Sequence, residues 1–281
     1  MAEAEEEKSC DVRKLSQRFF NTTKRWWGIA LLAKIAAFLL GIPAIVFAEY
    51  AIWFAVGVAV LASVAEVAGI TSNRYKSIAD GLLRKLDFRD GFGWPIDEVD
   101  VADARMLLSS GDRKRLNIAA DTGKFFASKS AASWRRAVEN LRESAWWSKH
   151  LTLSMGRITF TVTICLSVAS FMGLLLSFMV FSTESPLISI SRIILAFLLL
   201  IVSLGLIPLT ISYWNFSKKS EKIVENASKL LDQGGNEETA AIKLVSEYHV
   251  ARAAGPLIPT WFWKMKRDTL NETWDKYIVK K

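Results

Sequence analysis

Four stretches of this chain are too long and too apolar for a water-soluble core. They run from about Trp26 to Ala48, Ala51 to Ile70, Ile158 to Phe181 and Leu187 to Tyr213. At a rise of about 1.5 Å per residue, each can cross the roughly 30 Å of a bilayer's hydrocarbon as a helix. In lipid the backbone must satisfy its own hydrogen bonds, which leaves helices or closed barrels. These runs lack the alternation of a barrel strand. The chain is 51% hydrophobic yet 23% charged, with a mean hydropathy of +0.22. Those figures are compatible because the charge is segregated between the apolar blocks.

The segregation also sets an orientation. The connections inside each pair of blocks, Glu49-Tyr50 and Ser182 to Pro186, carry no Lys or Arg. Of the 36 basic residues, all but Lys34 and Arg192 fall in 1–25, 71–157 and 214–281. The three segments therefore share one side, and the positive-inside rule makes it the cytoplasm. Trp26, Trp27 and Trp214 stand at the inner ends of the spans, where an aromatic belt belongs.

The expected fold is thus all-α and integral to the membrane, with four transmembrane helices in two hairpins. Its parts are a cytosolic N-terminal segment (1–25), hairpin 1 (26–70), a cytosolic helical insertion (71–157), hairpin 2 (158–213) and a cytosolic helical tail (214–281). Both termini are cytoplasmic. The acidic start, Met-Ala-Glu-Ala-Glu-Glu-Glu-Lys, predicts no cleaved signal peptide.

Within the cytosolic parts, Arg74 to Phe88 reads as a continuation of the second span, with Ile78, Leu82, Leu83 and Leu86 on one face. Asp90-Gly-Phe-Gly-Trp-Pro95 is a break. Helices are expected over Asp97–Leu108, Ala131–Met155, Ser217–Leu231 and Ala240–Ala254, with Gly234-Gly235-Asn236 as a linker. A final polar helix follows Arg267 to Lys281.

Several chemistries find no footing. The net charge of +8 suits flanks that meet anionic lipid, and no nucleic acid is expected as partner. Cys10 and Cys165 fall in a tail and in mid-span, so neither a disulfide nor a metal set is expected. His150 and His249 are the only histidines. No C-x-x-C, H-E-x-x-H, G-x-S-x-G or phosphate-cradling glycine loop occurs. The reading is a non-enzyme without metal or cofactor, and Tyr248 and His249 are read as packing residues.

Two charges interrupt the first hairpin. Lys34 lies 15 residues before Glu49, and Glu66 lies 16 after Tyr50, which puts both at one depth towards the inner leaflet. Such charges form a buried pair, line a pore, or snorkel separately to the interface. Arg192, near the outer end of the fourth span, snorkels or pairs with Glu184. Ala169, Gly173 and Ser177 recur every fourth residue, and Ala37/Gly41 and Ala65/Gly69 share that spacing. Small residues so placed let helices approach closely, within the chain or between copies. In the tail, Pro256, Pro259, Trp261 and Trp263 precede Lys264, Lys266 and Arg267, a composition suited to an interface or to packing.

The stretch Ala253-Ala-Gly-Pro-Leu-Ile-Pro-Thr-Trp-Phe-Trp263, with its following basic residues, resembles the tail of a known bacterial family: the four-transmembrane effectors associated with SMODS nucleotidyltransferases. Asp87-Phe-Arg-Asp-Gly-Phe-Gly-Trp94 is a second point of similarity, and the plan of two hairpins around a cytosolic insertion is similar throughout. The resemblance implies anti-phage defence at the bacterial inner membrane. A triggered effector of that kind disrupts the membrane, as a homo-oligomer, when a nucleotide second messenger or sensor protein engages it. The family has no catalytic residues to carry over. The alternatives are a non-enzymatic membrane scaffold or sensor and a small housekeeping channel or transporter.

Overall fold

A computed structural model describes residues 2–108, 110, 111, 113, 126–128, 130–180, 194, 201, 204–233 and 237–279. Among these the chain is helical, without a strand. The helices are α1 (Ala2–Val46), α2 (Ala51–Phe92), α3 (Glu98–Met106), α4 (Trp134–Val180), α5 (Leu206–Gln233), α6 (Glu238–Ala254) and α7 (Thr260–Trp274). A 3₁₀ turn over Ala48–Tyr50 joins α1 to α2, and a π turn over Asp275–Val279 follows α7.

Contacts divide the chain into two compact units. The first, here the charged unit, comprises Met1–Lys24, Asn73–Leu153 and Trp214–Lys281. The second, the apolar unit, comprises Arg25–Ser72 and Ser154–Tyr213. Helices α1, α2, α4 and α5 contribute residues to both.

Three helical stretches, Val12–Pro43, Ala51–Phe92 and Trp134–Met172, are long and apolar enough to cross a membrane. At 42 residues, α2 is about 63 Å long, twice the hydrocarbon thickness. It therefore has length for both a span and a water-exposed part. In the most apolar windows of α1 and α2 only 11% of residues are buried. In the apolar unit Trp53 is 74% exposed, Ile52 70% and Ile70 69%. A helix that is apolar all round belongs in a core or in lipid, and these side chains are in no core. The expected fourth span falls largely outside the described residues, which cover Ile194, Ile201 and 204–213 of it.

Inside the apolar unit the tight spots differ from those the small-residue spacing predicts. A methyl group on Gly57 would lie 2.6 Å from Leu40 Cδ2, while one on Gly41 or Gly69 would meet nothing within 4 Å. Ala65 and Ala68 are buried, whereas Ala169 is exposed. The buried face of α4 here carries Thr159, Thr163 and Ser170. Thr210 Oγ1 of α5 donates to Thr159 Oγ1 at 3.0 Å, an interhelical hydrogen bond of the kind that polar residues supply in lipid. Gly173 and Ser177 lie in α4, but their side chains are outside the described set. So is Arg192, together with the linker Gly234–Asn236.

The charged unit holds two cores. In one, Val12, Leu15 and Phe19 of α1 meet Ala79, Leu82 and Leu86 of α2, closed by Ile96, Val101, Ala104 and Leu108. Both contributing faces follow the i, i+3, i+4, i+7 rule. In the other, Val138, Leu141 and Ala145 of α4 pack with Phe216, Ile223, Ala227 and Leu230 of α5 and with Leu244, Val245 and Tyr248 of α6. The sequence break is real and sharply built. Helix α2 runs on to Phe92, then Gly93 takes φ +78° and donates its N–H to Arg89 O at 2.9 Å. That left-handed stop suits glycine. Asp97 then caps α3 by accepting from the Val99 N–H at 3.0 Å. The last helix starts earlier than expected, at Thr260, so Trp261 to Arg267 lie on α7 rather than ahead of it.

Candidate functional site

The periodicity of α2 assembles a polar site inside the charged unit. Lys76, Asp80 and Asp87 recur at near-helical spacing, so they share a face beside the apolar Leu82 and Leu86. Helix α6 answers with Tyr248, His249 and Arg252. The Arg252 Nε sits 3.6 Å from Asp80 Oδ1, and His249 Nε2 sits 3.4 Å from Asp87 Oδ2. The Arg252 guanidinium also lies over the Phe20 ring of α1 at 5.7 Å, a cation–π contact. Lys76 Nζ donates to Ala253 O at 2.6 Å and to Gly255 O. A cation thereby meets the carbonyls that the end of α6 leaves open. Tyr248 OH donates to Ser144 O at 3.1 Å and is 2.8 Å from Ser148 Oγ. Arg13 donates to Asp90 at 2.7 Å.

Burial sets the protonation states. Asp87 is pushed up to about 7 by loss of water, against the opposing pull of Arg252. His249 is pushed down to about 3, chiefly by burial and then by Arg252 and Arg84. Asp80 is raised by burial, with Arg252 and Lys76 pulling the other way; Lys76 is lowered by burial. Tyr248 and His249 are thus packing residues and polar fasteners together. The cavity touching Asp87, Asn140, Tyr248 and His249 measures about 10 Å³, room for one water and nothing larger. No group of His, Cys, Asp and Glu that could hold a metal ion occurs among the described residues.

The Asp87–His249 pair makes a prediction about acid. Unfolded, the two groups together hold one proton between about pH 4 and 6.5, on the imidazole. Folded, they also hold one, on whichever side chain carries it. Their joint contribution to stability is therefore flat across that window. The balance hides two opposite slopes. Histidine with a depressed folded pKa adds stability as pH rises, while a carboxyl with a raised folded pKa removes it. In His249→Phe only the second remains. Its stability relative to the parent is expected to fall as pH rises from about 4 to 6.5, by up to about 1.4 kcal/mol per pH unit. Unfolding midpoints in detergent at several pH values measure this, and a rising difference would refute it.

Beside this cluster a cleft of about 450 Å³ is lined by Arg84, Lys85, Phe88, Trp94, Asp97 and Asp100, with Ser246 and Val250 of α6. Phe88 and Trp94 stack at 5.0 Å, and Phe88 and Phe92 at 5.5 Å. Lys85 pairs with Asp100, whereas Arg84 is exposed. A cleft of that size with an aromatic wall and a few charges has the dimensions of a small-ligand site. Sequence reasoning marked Asp87 to Trp94 as a point of similarity but not as a cleft. The missing signal is Ser246 and Val250, which only the packing of α6 on α2 brings to the same place.

Lys34 is half-buried and Glu66 is exposed, and no ion pair joins them among the described residues. Pro259 is buried at the N-terminus of α7, Pro256 is half-buried, and Trp261 and Trp263 are 60% and 37% exposed. No protein-family model, no curated protein and no solved structure matches this chain.

Proposed function

We propose that this chain is a membrane-disrupting effector of a bacterial anti-phage system, spanning the inner membrane four times with both termini in the cytoplasm. The observation that carries the reading is the exposure of Glu66. It is the only charged residue between Ala51 and Ile70. A carboxylate facing hydrocarbon is costly, so such residues face water or a neighbouring helix. One chain leaves Glu66 exposed; several copies around a lumen give it water. Because α1, α2 and α4 each belong to both units, a trigger that repacks the charged unit acts on the same helices that would line the lumen. The trigger must favour the open arrangement over the resting one, or it shifts nothing.

The cleft at Phe88 and Trp94 suits a ligand-gated sensor, which keeps a non-enzymatic membrane sensor as the second reading. Thiol accessibility separates them. In Glu66→Cys, on a Cys10→Ser, Cys165→Ser background, membrane-impermeant thiosulfonates are expected to modify residue 66 once the effector is triggered. A residue reached only by lipid-soluble maleimide in every state would argue against the lumen.

A further inference from the structure

The segment Trp261-Phe262-Trp263 is divided by its helix. Phe262 is fully buried and Trp274 nearly so, with the Trp274 ring 5.2 Å from Trp146 of α4. These two anchors fix α7 to the body of the charged unit. The neighbours of Phe262 point the other way: Trp261 is 60% exposed, Met265 57% and Trp263 37%. Trp261 and Met265 are four residues apart and therefore adjacent on the outer surface. The first two turns, residues 260–267, carry Lys264, Lys266 and Arg267 and no acidic residue; Asp268, Glu272 and Asp275 all come later. The Arg267 guanidinium lies over the Trp263 ring at 5.6 Å and its Nε pairs with Asp268 at 3.0 Å. The Trp263 edge and the cation thus form one amphipathic surface.

We infer that the outer face of the first two turns of α7 docks on an anionic lipid surface, Trp261 and Met265 entering the headgroup layer and Lys264, Lys266 and Arg267 meeting lipid phosphates. Indole and thioether side chains gain from the interface, and the basic groups gain from its negative potential. A second copy of the same face is a poor occupant, because a two-fold contact would set like charges against each other. A nucleic acid is disfavoured because Trp261 and Met265, the most exposed large side chains of the face, are apolar. The tail then becomes a part of the cytosolic surface that reads membrane composition. This holds whether or not the chain forms a pore.

The test is spin-label accessibility in the full-length protein. Met265→Cys, on a Cys10→Ser, Cys165→Ser background, is reconstituted in nanodiscs of phosphatidylcholine alone or mixed with phosphatidylglycerol. In the anionic discs the label is expected to become accessible to oxygen and shielded from an aqueous nickel chelate. Neutralising Lys264, Lys266 and Arg267 to glutamine should abolish the shift, since three cations lost from a membrane surface weaken attraction roughly a hundredfold. Cys165, Lys264, Met265, Lys266 and Arg267 are exposed or half-buried, and an unchanged thermal midpoint verifies that folding is retained. A label equally open to the chelate in both lipids overturns the proposal. So does spin–spin broadening, which would identify a second copy, or a change brought about by an oligonucleotide and not by lipid.

Discussion

Arg252→Met is expected to destabilise the charged unit by about 3 kcal/mol, near the lower end of what removing one partner from a buried pair costs. The reason lies in what Arg252 leaves behind. Asp80 is buried, and neither of its oxygens has a hydrogen-bond partner in the structure. Arg252 and Lys76 are the cations that offset its burial, and Arg252 also lowers Asp87. Without Arg252 both carboxyls rise further in the folded state. A carboxyl whose folded pKa lies above its unfolded one is favourable only while protonated, so the damage should deepen as pH rises and ease on acidification. The double variant Arg252→Met, Asp80→Asn should recover most of the loss, because the orphaned charge is then gone. Thermal unfolding in detergent from pH 5 to 8 reads all three proteins. A loss that neither varies with pH nor is rescued by Asp80→Asn would mean that Arg252 acts only through its stacking on Phe20.

Two glycines of α2 should respond oppositely to the same substitution. At Gly91 a new methyl would lie 2.6 Å from Ala137 Cβ and 2.7 Å from Ala137 Cα. That is backbone, which has no rotamer to swing aside. The same spot is tied by the Ser133 N–H donating to Gly91 O at 2.8 Å. Helix propensity would favour alanine by up to about 1 kcal/mol, but overpacking costs about 1–3 kcal/mol, and forcing α2 from α4 also strains the Ser133 hydrogen bond. Gly91→Ala is expected to lose about 2 kcal/mol net. At Gly81 a methyl meets nothing within 4 Å, so Gly81→Ala should keep the propensity gain and stabilise by up to about 1 kcal/mol. Equal midpoint shifts for the two variants would show that α2 and α4 are not in the close contact described.

The helices were legible where a strong period or a strong break exists. Leu82 and Leu86 on α2, and Val138 and Leu141 on α4, mark their buried faces in sequence and are buried in the structure. Segregated charge separated apolar blocks from charged segments because hydrocarbon tolerates so few ions. The exact stop of α2 was less readable: Gly91 and Gly93 look alike in sequence. One is there for a close approach and the other for a left-handed φ. The α7 boundary was missed because Trp-Phe-Trp carries no periodic signal over three residues, and only burial tells Phe262 from its neighbours. The Asp80, Asp87, His249 and Arg252 cluster was not legible at all. Its members come from segments more than 160 residues apart, and each alone reads as an ordinary surface charge or packing residue. Lys34 and Glu66 were legible as charges at a matched depth, and in the structure Lys34 is half-buried while Glu66 is exposed.

The effector account stands or falls on what the membrane does when the chain is triggered. In bacteria carrying the chain with its genomic neighbours, phage infection should collapse the signal of a potential-sensitive dye and admit propidium. Glu66→Gln should slow both, while the chain expressed alone should be tolerated. Death of infected cells with potential and permeability intact would contradict membrane disruption and leave a sensor acting through another protein as the better account.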